Sequence, residues 1–237
     1  MNPLIVALDT PDEMKVKRLV DQLALYVGAF KVGLELYTAL GPSIIRYIQN
    51  LGGKVFLDGK FHDIPNTVDG AAAVATRYKV WMFNVHCSGG LLMMHAAAQS
   101  AKDTAEPLNI PKPIILGVTI LTSIDATILK SEIGIEKELT AQVVHFAQLA
   151  RDAGLDGVVA SPKEIIPIRE KLGKEFIILT PGIRPAWSAA AQDQKRIMTP
   201  RDAISAGANF IVVGRPITQS QNPSESAQRI LEEIDFL

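Results

Sequence analysis

The stretch Phe56 to Thr67, FLDGKFHDIPNT, crowds Asp58, Lys60 and Asp63 directly behind an apolar run. If the run stays extended as far as Lys60, side chains alternate with period two, and Asp58 and Lys60 share one face. A carboxylate then stands beside an ammonium, a pair suited to delivering a proton and to steadying negative charge that develops on a substrate. The bland alternative is a solvated ion pair of little energetic consequence. The cluster's place at the end of a buried strand weighs against that alternative. Asp63 follows in a loop that Pro65 and Asn66 are expected to keep from turning helical at once.

A second charge needs explaining. Lys31 lies inside the apolar run AFKVGLE, where a lysine is costly unless it is paired or faces a polar mouth. Asp9, which ends the run LIVALD, is a candidate partner. Asp9, Lys31, Asp58 and Lys60 then alternate in sign along three successive strands, as a catalytic charge network or a purely structural one. The histidines His62, His86, His95 and His145 show no H-x-H or H-E-x-x-H spacing, so no metal site is expected. His62 is expected to be structural, and His86 a satisfied core residue. Ser88-Gly-Gly before a helix is an anion nest or, more commonly, a tight turn.

These residues need elements to hold them. Eight apolar runs recur along the chain: Leu4–Asp9, Ala29–Glu35, Lys54–Lys60, Trp81–Cys87, Ile114–Leu121, Gly157–Ser161, Phe176–Gly182 and Phe210–Arg215. Their near-continuous apolar character suits a parallel sheet covered on its outer face. Between them lie segments of helical period. Val16, Leu19, Val20 and Leu23 form one face, opened by Thr10 as N-cap, Pro11 and Glu13. Ile44, Ile45, Ile48 and Leu51 form another that ends at Gly52-Gly53, and Thr199-Pro200 opens a later helix. Strand–helix alternation predicts an α/β fold, a single-domain (β/α)8 TIM barrel over residues 1–237, with a doubly wound open sheet as runner-up. The barrel is favoured because Asp9, Asp58, Lys60, His86, Thr122, Ser161, Thr180 and Arg215 fall at or near C-terminal strand ends, the catalytic face of such barrels.

With 48% hydrophobic and 21% charged residues and a formal charge of −1, the chain gives no general electrostatic case for nucleic acid or an anionic membrane as partner. The single cysteine, Cys87, cannot form an internal disulfide and fits a reducing cytosol. The first residues carry neither a basic region nor a long apolar stretch, so no signal peptide is expected, and with the lone cysteine the expected location is cytoplasmic.

LDGKFHDIPNT, together with FKVGLELY, NVHCSGG, VTILTS, TPGIRP and QKRIMTPRDAISAGANFIVVGRPIT, resembles the orotidine 5′-phosphate decarboxylases of the bacterial type. The resemblance implies cofactor-independent loss of CO2 from C6 of orotidine 5′-phosphate to give UMP, the last step of pyrimidine synthesis. Lys60 would protonate the C6 carbanion, with Asp58 near the departing carboxylate. Asp9 and Lys31 match residues that hold the ribose. Asp63, Ile64 and Thr67 match positions that reach into a neighbouring subunit's site, which implies a homodimer with shared active sites. Thr122 and Ser123 match the part that reads the pyrimidine edge.

Loops after the seventh and eighth strands of such barrels commonly bind phosphate. Here they supply Pro181, Arg184, Gly214 and Arg215, the last with a guanidinium fork suited to a dianion. Gln194, or Gln192, matches a lid residue bridging phosphate and base, and the stretch Gly182 to Thr199 is long enough for a lid. Gly59 departs from the bulky apolar residue usual in the family; it should face outward, with a looser strand end as the consequence. Two other readings compete. One is a metal-dependent sugar-phosphate decarboxylase or aldolase, whose acidic ligand position holds Lys31 here. The other is a catalytically silent nucleotide-binding barrel.

Overall fold

Each apolar run offered as a strand enters one parallel sheet, which closes on itself in sequence order. The computed structural model describes residues 1–188 and 198–235. Its strands are β1 (Leu4–Ala7), β2 (Ala29–Gly33), β3 (Val55–Phe61), β4 (Met82–His86), β5 (Ile114–Val118), β6 (Gly157–Val159), β7 (Ile177–Thr180) and β8 (Phe210–Val213). The register Leu4↔Ile211, Ile5↔Val212 joins first strand to last, which rules out the open doubly wound sheet.

Period-two alternation sorts the strand residues into two packed layers. Ile5, Ala7, Phe56, Met82, Leu116 and Phe210 fill the barrel's interior. Their chain neighbours Leu4, Val6, Val55, Leu57, Phe83 and Ile211 face outward and pack with Leu23, Ile45, Ile48 and other helix residues. Both faces are therefore apolar, the condition under which all-parallel sheets occur. Trp81, just before β4, packs edge-on against Phe210 at 5.2 Å and helps close the interior at the strands' N-terminal end. At that same end Arg169 binds the Gly207, Gly173 and Phe176 carbonyls and the Asn209 side chain, tying together the entries to β7 and β8.

Several local expectations are corrected. The first helix is Glu13–Leu23, capped by Asp12, whose side chain accepts from the Lys15 N–H; Thr10 lies outside it. Aspartate three residues ahead of that donor is the better placed acceptor. The helix Ser43–Asn50 buries Ile44, Ile45 and Ile48 but leaves Leu51 46% exposed, because the chain has already turned out through Gly52 at φ +78°. Leu34 and Glu35 are not strand: the chain enters the helix Leu34–Leu40 immediately after β2. Pro65 does not delay a helix but begins one, Pro65–Arg77, at the first-turn position where its missing N–H costs nothing. Thr199 does cap Pro200–Ser205, accepting from the Asp202 N–H at 3.2 Å.

Candidate active site

The C-terminal halves of β2 and β3 carry Lys31, Asp58 and Lys60, and Asp9 stands just beyond β1, so the strand tips bring these side chains to the barrel mouth. Inward parity follows Ile5 and Ala7 to Asp9, Ala29 to Lys31, and Phe56 to Asp58. Four charges on three adjacent strands therefore meet by register. Lys31 Nζ lies 2.8 Å from Asp9 Oδ1 and 3.3 Å from Asp58 Oδ2, and Lys60 Nζ lies 2.7 Å from Asp58 Oδ1. Asp58 thus gives one carboxylate oxygen to each lysine, at 8% residue exposure.

Burial acts on both buried members, and both stay charged because their partners outweigh it. For Asp58, desolvation alone would raise the carboxyl pKa. The charges of Lys31 and Lys60 and hydrogen bonds from Lys60 and Asn84 reverse this, and it falls below the ordinary carboxylate value. For Lys31, desolvation disfavours the ammonium, yet the charges of Asp58 and Asp9 and their hydrogen bonds raise its pKa above the usual lysine value.

The end of β3 is irregular. Leu57 pairs with Phe83 and Phe61 with Val85, so the longer segment of β3 bulges against the shorter one of β4. Lys60 sits within the bulge at φ +49°, the left-handed region that side-chain-bearing residues seldom occupy. Asn84, fully buried on β4, fills the gap in the ladder: its Nδ2 donates to Asp58 Oδ1 at 2.7 Å, and its Oδ1 accepts from the Lys60 N–H at 2.8 Å. The sequence reading missed Asn84. The signal was present, since Asn84 alternates with Met82 and so faces the interior among apolar neighbours.

Gly59 is also accounted for. A Cβ there would stand 2.8 Å from Cε1 of Phe61, whose ring packs against Phe83 at 5.7 Å. The ring occupies the space a larger residue would take, so the strand end is packed rather than loose.

Asp9, Lys31, Asp58 and Lys60 line one wall of a cavity of about 330 Å³ at the barrel mouth. Thr122, Pro181, Arg184, Gly214 and Arg215 line it from the loops after β5, β7 and β8. Arg184 is only 6% exposed. Cations thus enter the lining both from β2 and β3 and from the loops after β7 and β8, with Phe56, Leu179 and Val212 of the barrel interior beneath. Such a site can hold an anionic ligand with Lys60 in the wall of the same cavity.

The other expected residues lie elsewhere. Asp63, Ile64 and Thr67 are exposed and do not line the cavity of their own barrel; Ile64 is 66% exposed. Asp63 accepts from the Ile64 N–H at 2.6 Å. Ser123 is exposed and outside the lining. Ser161 and Thr180 are buried and also outside it, as is half-buried His86, so not every polar strand end converges on the site. His86 is not a core residue: its ring lies 5.3 Å from that of His62, and burial, His62 and Lys60 lower its pKa. Gln192 and Gln194 fall outside the described residues. Among the described residues no group of three or more His, Cys, Asp or Glu could hold a metal ion, and no helix is long and apolar enough to cross a membrane.

A closed parallel barrel with a charged cavity at the C-terminal ends of its strands has the architecture of a (β/α)8 enzyme. Residues 2–230 match the model of the orotidine 5′-phosphate decarboxylase / HUMPS family, and the chain belongs to that family. It is 53% identical to the orotidine 5′-phosphate decarboxylase of Moorella thermoacetica over 99% of this chain and 92% of that one. It is 50% identical to that of Syntrophomonas wolfei, covering 98% and 97% of the two chains. Among solved structures, orotidine 5′-phosphate decarboxylase from Lactobacillus acidophilus superposes with a TM-score of 0.88 at 35% identity, covering 99% of this chain and all of that one (100%).

Proposed function

We propose that this protein converts orotidine 5′-phosphate to UMP in pyrimidine biosynthesis, without a cofactor, as a single barrel domain working in the cytoplasm. The observation that carries this reading is the Lys60 ammonium, held 2.7 Å from Asp58 in the cavity that Arg215 also lines. The family to which the chain belongs supports the substrate.

The bond between C6 and the carboxylate breaks heterolytically; CO2 leaves and the electron pair stays at C6. Lys60 gives its proton to C6 and is itself reprotonated from solvent. Its positive charge stabilises the carbanion as it forms, in a cavity where such charge acts more strongly than in water. Asp58 stands beside the departing carboxylate. Two like charges about 4 Å apart repel by roughly 4 kcal/mol at an effective dielectric near 20, and losing one as CO2 relieves the contact.

The remaining contacts position the substrate. Arg215, the amide at Gly214 and Arg184, from the neighbouring loops after β8 and β7, take the phosphate beside Pro181, joined by Gln194 as a lid residue. Asp9 and Lys31 hold the ribose, while Thr122 meets the pyrimidine edge from the loop after β5 that also carries Ser123. Asp63, Ile64 and Thr67, exposed and turned away from their own cavity, complete the site of a partner subunit in a homodimer. Lys31 also disfavours the metal-dependent sugar-phosphate reading, because its ammonium, 3.3 Å from Asp58, occupies ground a dication would need.

A spectrophotometric assay with orotidine 5′-phosphate, with and without EDTA, tests the proposal. Turnover indifferent to EDTA is expected. Complete, metal-reversible loss would favour the metal-dependent reading, and UMP binding without turnover would favour the silent barrel.

A further inference from the structure

We infer that Asn84 is a positioning residue for the reaction: its amide locks the bulged end of β3 in the conformation that presents Lys60 to the cavity. The inference rests on the proposed role of Lys60 as proton donor.

Two defects meet at the end of β3. The pairing with β4 jumps from Leu57↔Phe83 to Phe61↔Val85, so the intervening backbone of β3 loses its regular ladder partners. Within that stretch Lys60 adopts φ +49°, a conformation that persists only where its surroundings over-determine it. Asn84 supplies what the ladder does not. Its Oδ1 accepts from the Lys60 N–H at 2.8 Å, in place of a carbonyl of the neighbouring strand.

A residue that only repaired the ladder would need no second contact. Asn84 has one, from Nδ2 to Asp58 Oδ1 at 2.7 Å, the same oxygen that receives Lys60 Nζ. One planar amide therefore fixes both the backbone of Lys60 and the plane of the carboxylate that holds its ammonium. With Asp58 Oδ2 turned to Lys31, any rotation of the carboxylate breaks contacts on both of its sides. Asn84 is fully buried and does not line the cavity, so it acts through Asp58 and Lys60 rather than on a ligand.

The test compares Asn84→Ala and Asn84→Asp with the parent enzyme, reading kcat and KM for orotidine 5′-phosphate and UMP affinity by calorimetry. Misplacing a reacting group by about 1 Å costs on the order of 100-fold in rate. Both variants should therefore lose roughly that factor in kcat, while KM and UMP affinity stay within about threefold of the parent. Asn84→Ala should also move the acid limb of kcat/KM to higher pH, because Asp58 loses a hydrogen bond that favours its charged form. Asn84→Asp keeps the shape and the acceptor for the Lys60 N–H but sets a carboxylate against Asp58 Oδ1 in place of the donating amide, so the Asp58 plane is no longer held; should the alanine variant fail to fold, its kcat and UMP affinity decide. A kcat within about threefold of the parent, or parallel losses of kcat and UMP affinity, would overturn the inference. Parent turnover decides the reaction itself, and the variant-to-parent ratio decides Asn84. A parent without turnover removes the proton-donor role and the inference with it.

Discussion

Lys31 Nζ lies 3.3 Å from Asp58 Oδ2, on the side of the carboxylate opposite Lys60, so the aspartate is clamped between two ammonium groups. Asp9 in turn holds Lys31 from outside at 2.8 Å, and the chain of charges is neutral overall. Alternating sign is what allows two lysines to stand together at a barrel mouth: each ammonium has a carboxylate, and neither carboxylate faces another. A buried pair of this kind is not needed for folding, since apolar residues can fill such space with equal or greater stability. Its cost is better understood as maintaining one charged geometry for the reaction.

The clamp predicts a pH-dependent stability. The folded pKa of Asp58 is depressed below 3.8, so its contribution is present above the unfolded value and is lost as pH falls through the folded one. In Asp58→Asn that contribution is gone at every pH. Thermal melts should show the parent above the variant at neutral pH, with the gap closing as pH drops below 3.8. A gap unchanged into that range would remove the clamp as its cause.

On the proposed mechanism, Lys60→Ala removes both the proton and the charge that steadies the carbanion. Loss of about 10³-fold or more in kcat is expected, with UMP still bound, because general acid and electrostatic contributions vanish together. Turnover retained near the parent level would assign the proton to another group.

The barrel itself was legible because both faces of its strands are apolar and each apolar run is long enough to count. The Asp9–Lys31–Asp58–Lys60 chain was legible for a related reason: period two carried each inward residue to the mouth on adjacent strands. Asn84 was missed although it obeys the same parity, because its importance comes from the β3 bulge, and a bulge leaves little trace in hydrophobic pattern. Gly59 read as a gap for a similar reason. The ring that fills its space belongs to Phe61, whose fold back over the glycine depends on that same irregular backbone. Thr10, in turn, lost the cap to Asp12 because several acceptors stood in a row and the final turn geometry decided among them.

Arg215 lines the cavity from the loop after β8, on a different side of the barrel from β3 and its Lys60, and its variant should separate binding from chemistry. Bidentate, charge-assisted contacts to a phosphate are about twice as strong as neutral hydrogen bonds, so Arg215→Ala should raise KM by about 10–100-fold. The same variant assayed with the phosphate-free nucleoside orotidine should match the parent, since the lost partner is absent from that substrate. An equal loss on both substrates would place Arg215 outside phosphate recognition.

Asp63 precedes the exposed Ile64 and does not line its own cavity; in the proposed homodimer its carboxylate acts in the partner's site. Mixing inactive Lys60→Ala with inactive Asp63→Ala tests this directly. In a two-fold dimer, each hybrid would hold one site that lacks both groups and one that has Lys60 from its own chain and Asp63 from its partner. Random exchange makes about half of the dimers hybrid, each with one of its two sites intact, so activity should recover to about a quarter of the parent's. The recovered activity should rise with the time allowed for subunit exchange and saturate at that level. Exchange demonstrated by differential labelling, with no return of turnover, would confine Asp63 to its own subunit and remove the shared site.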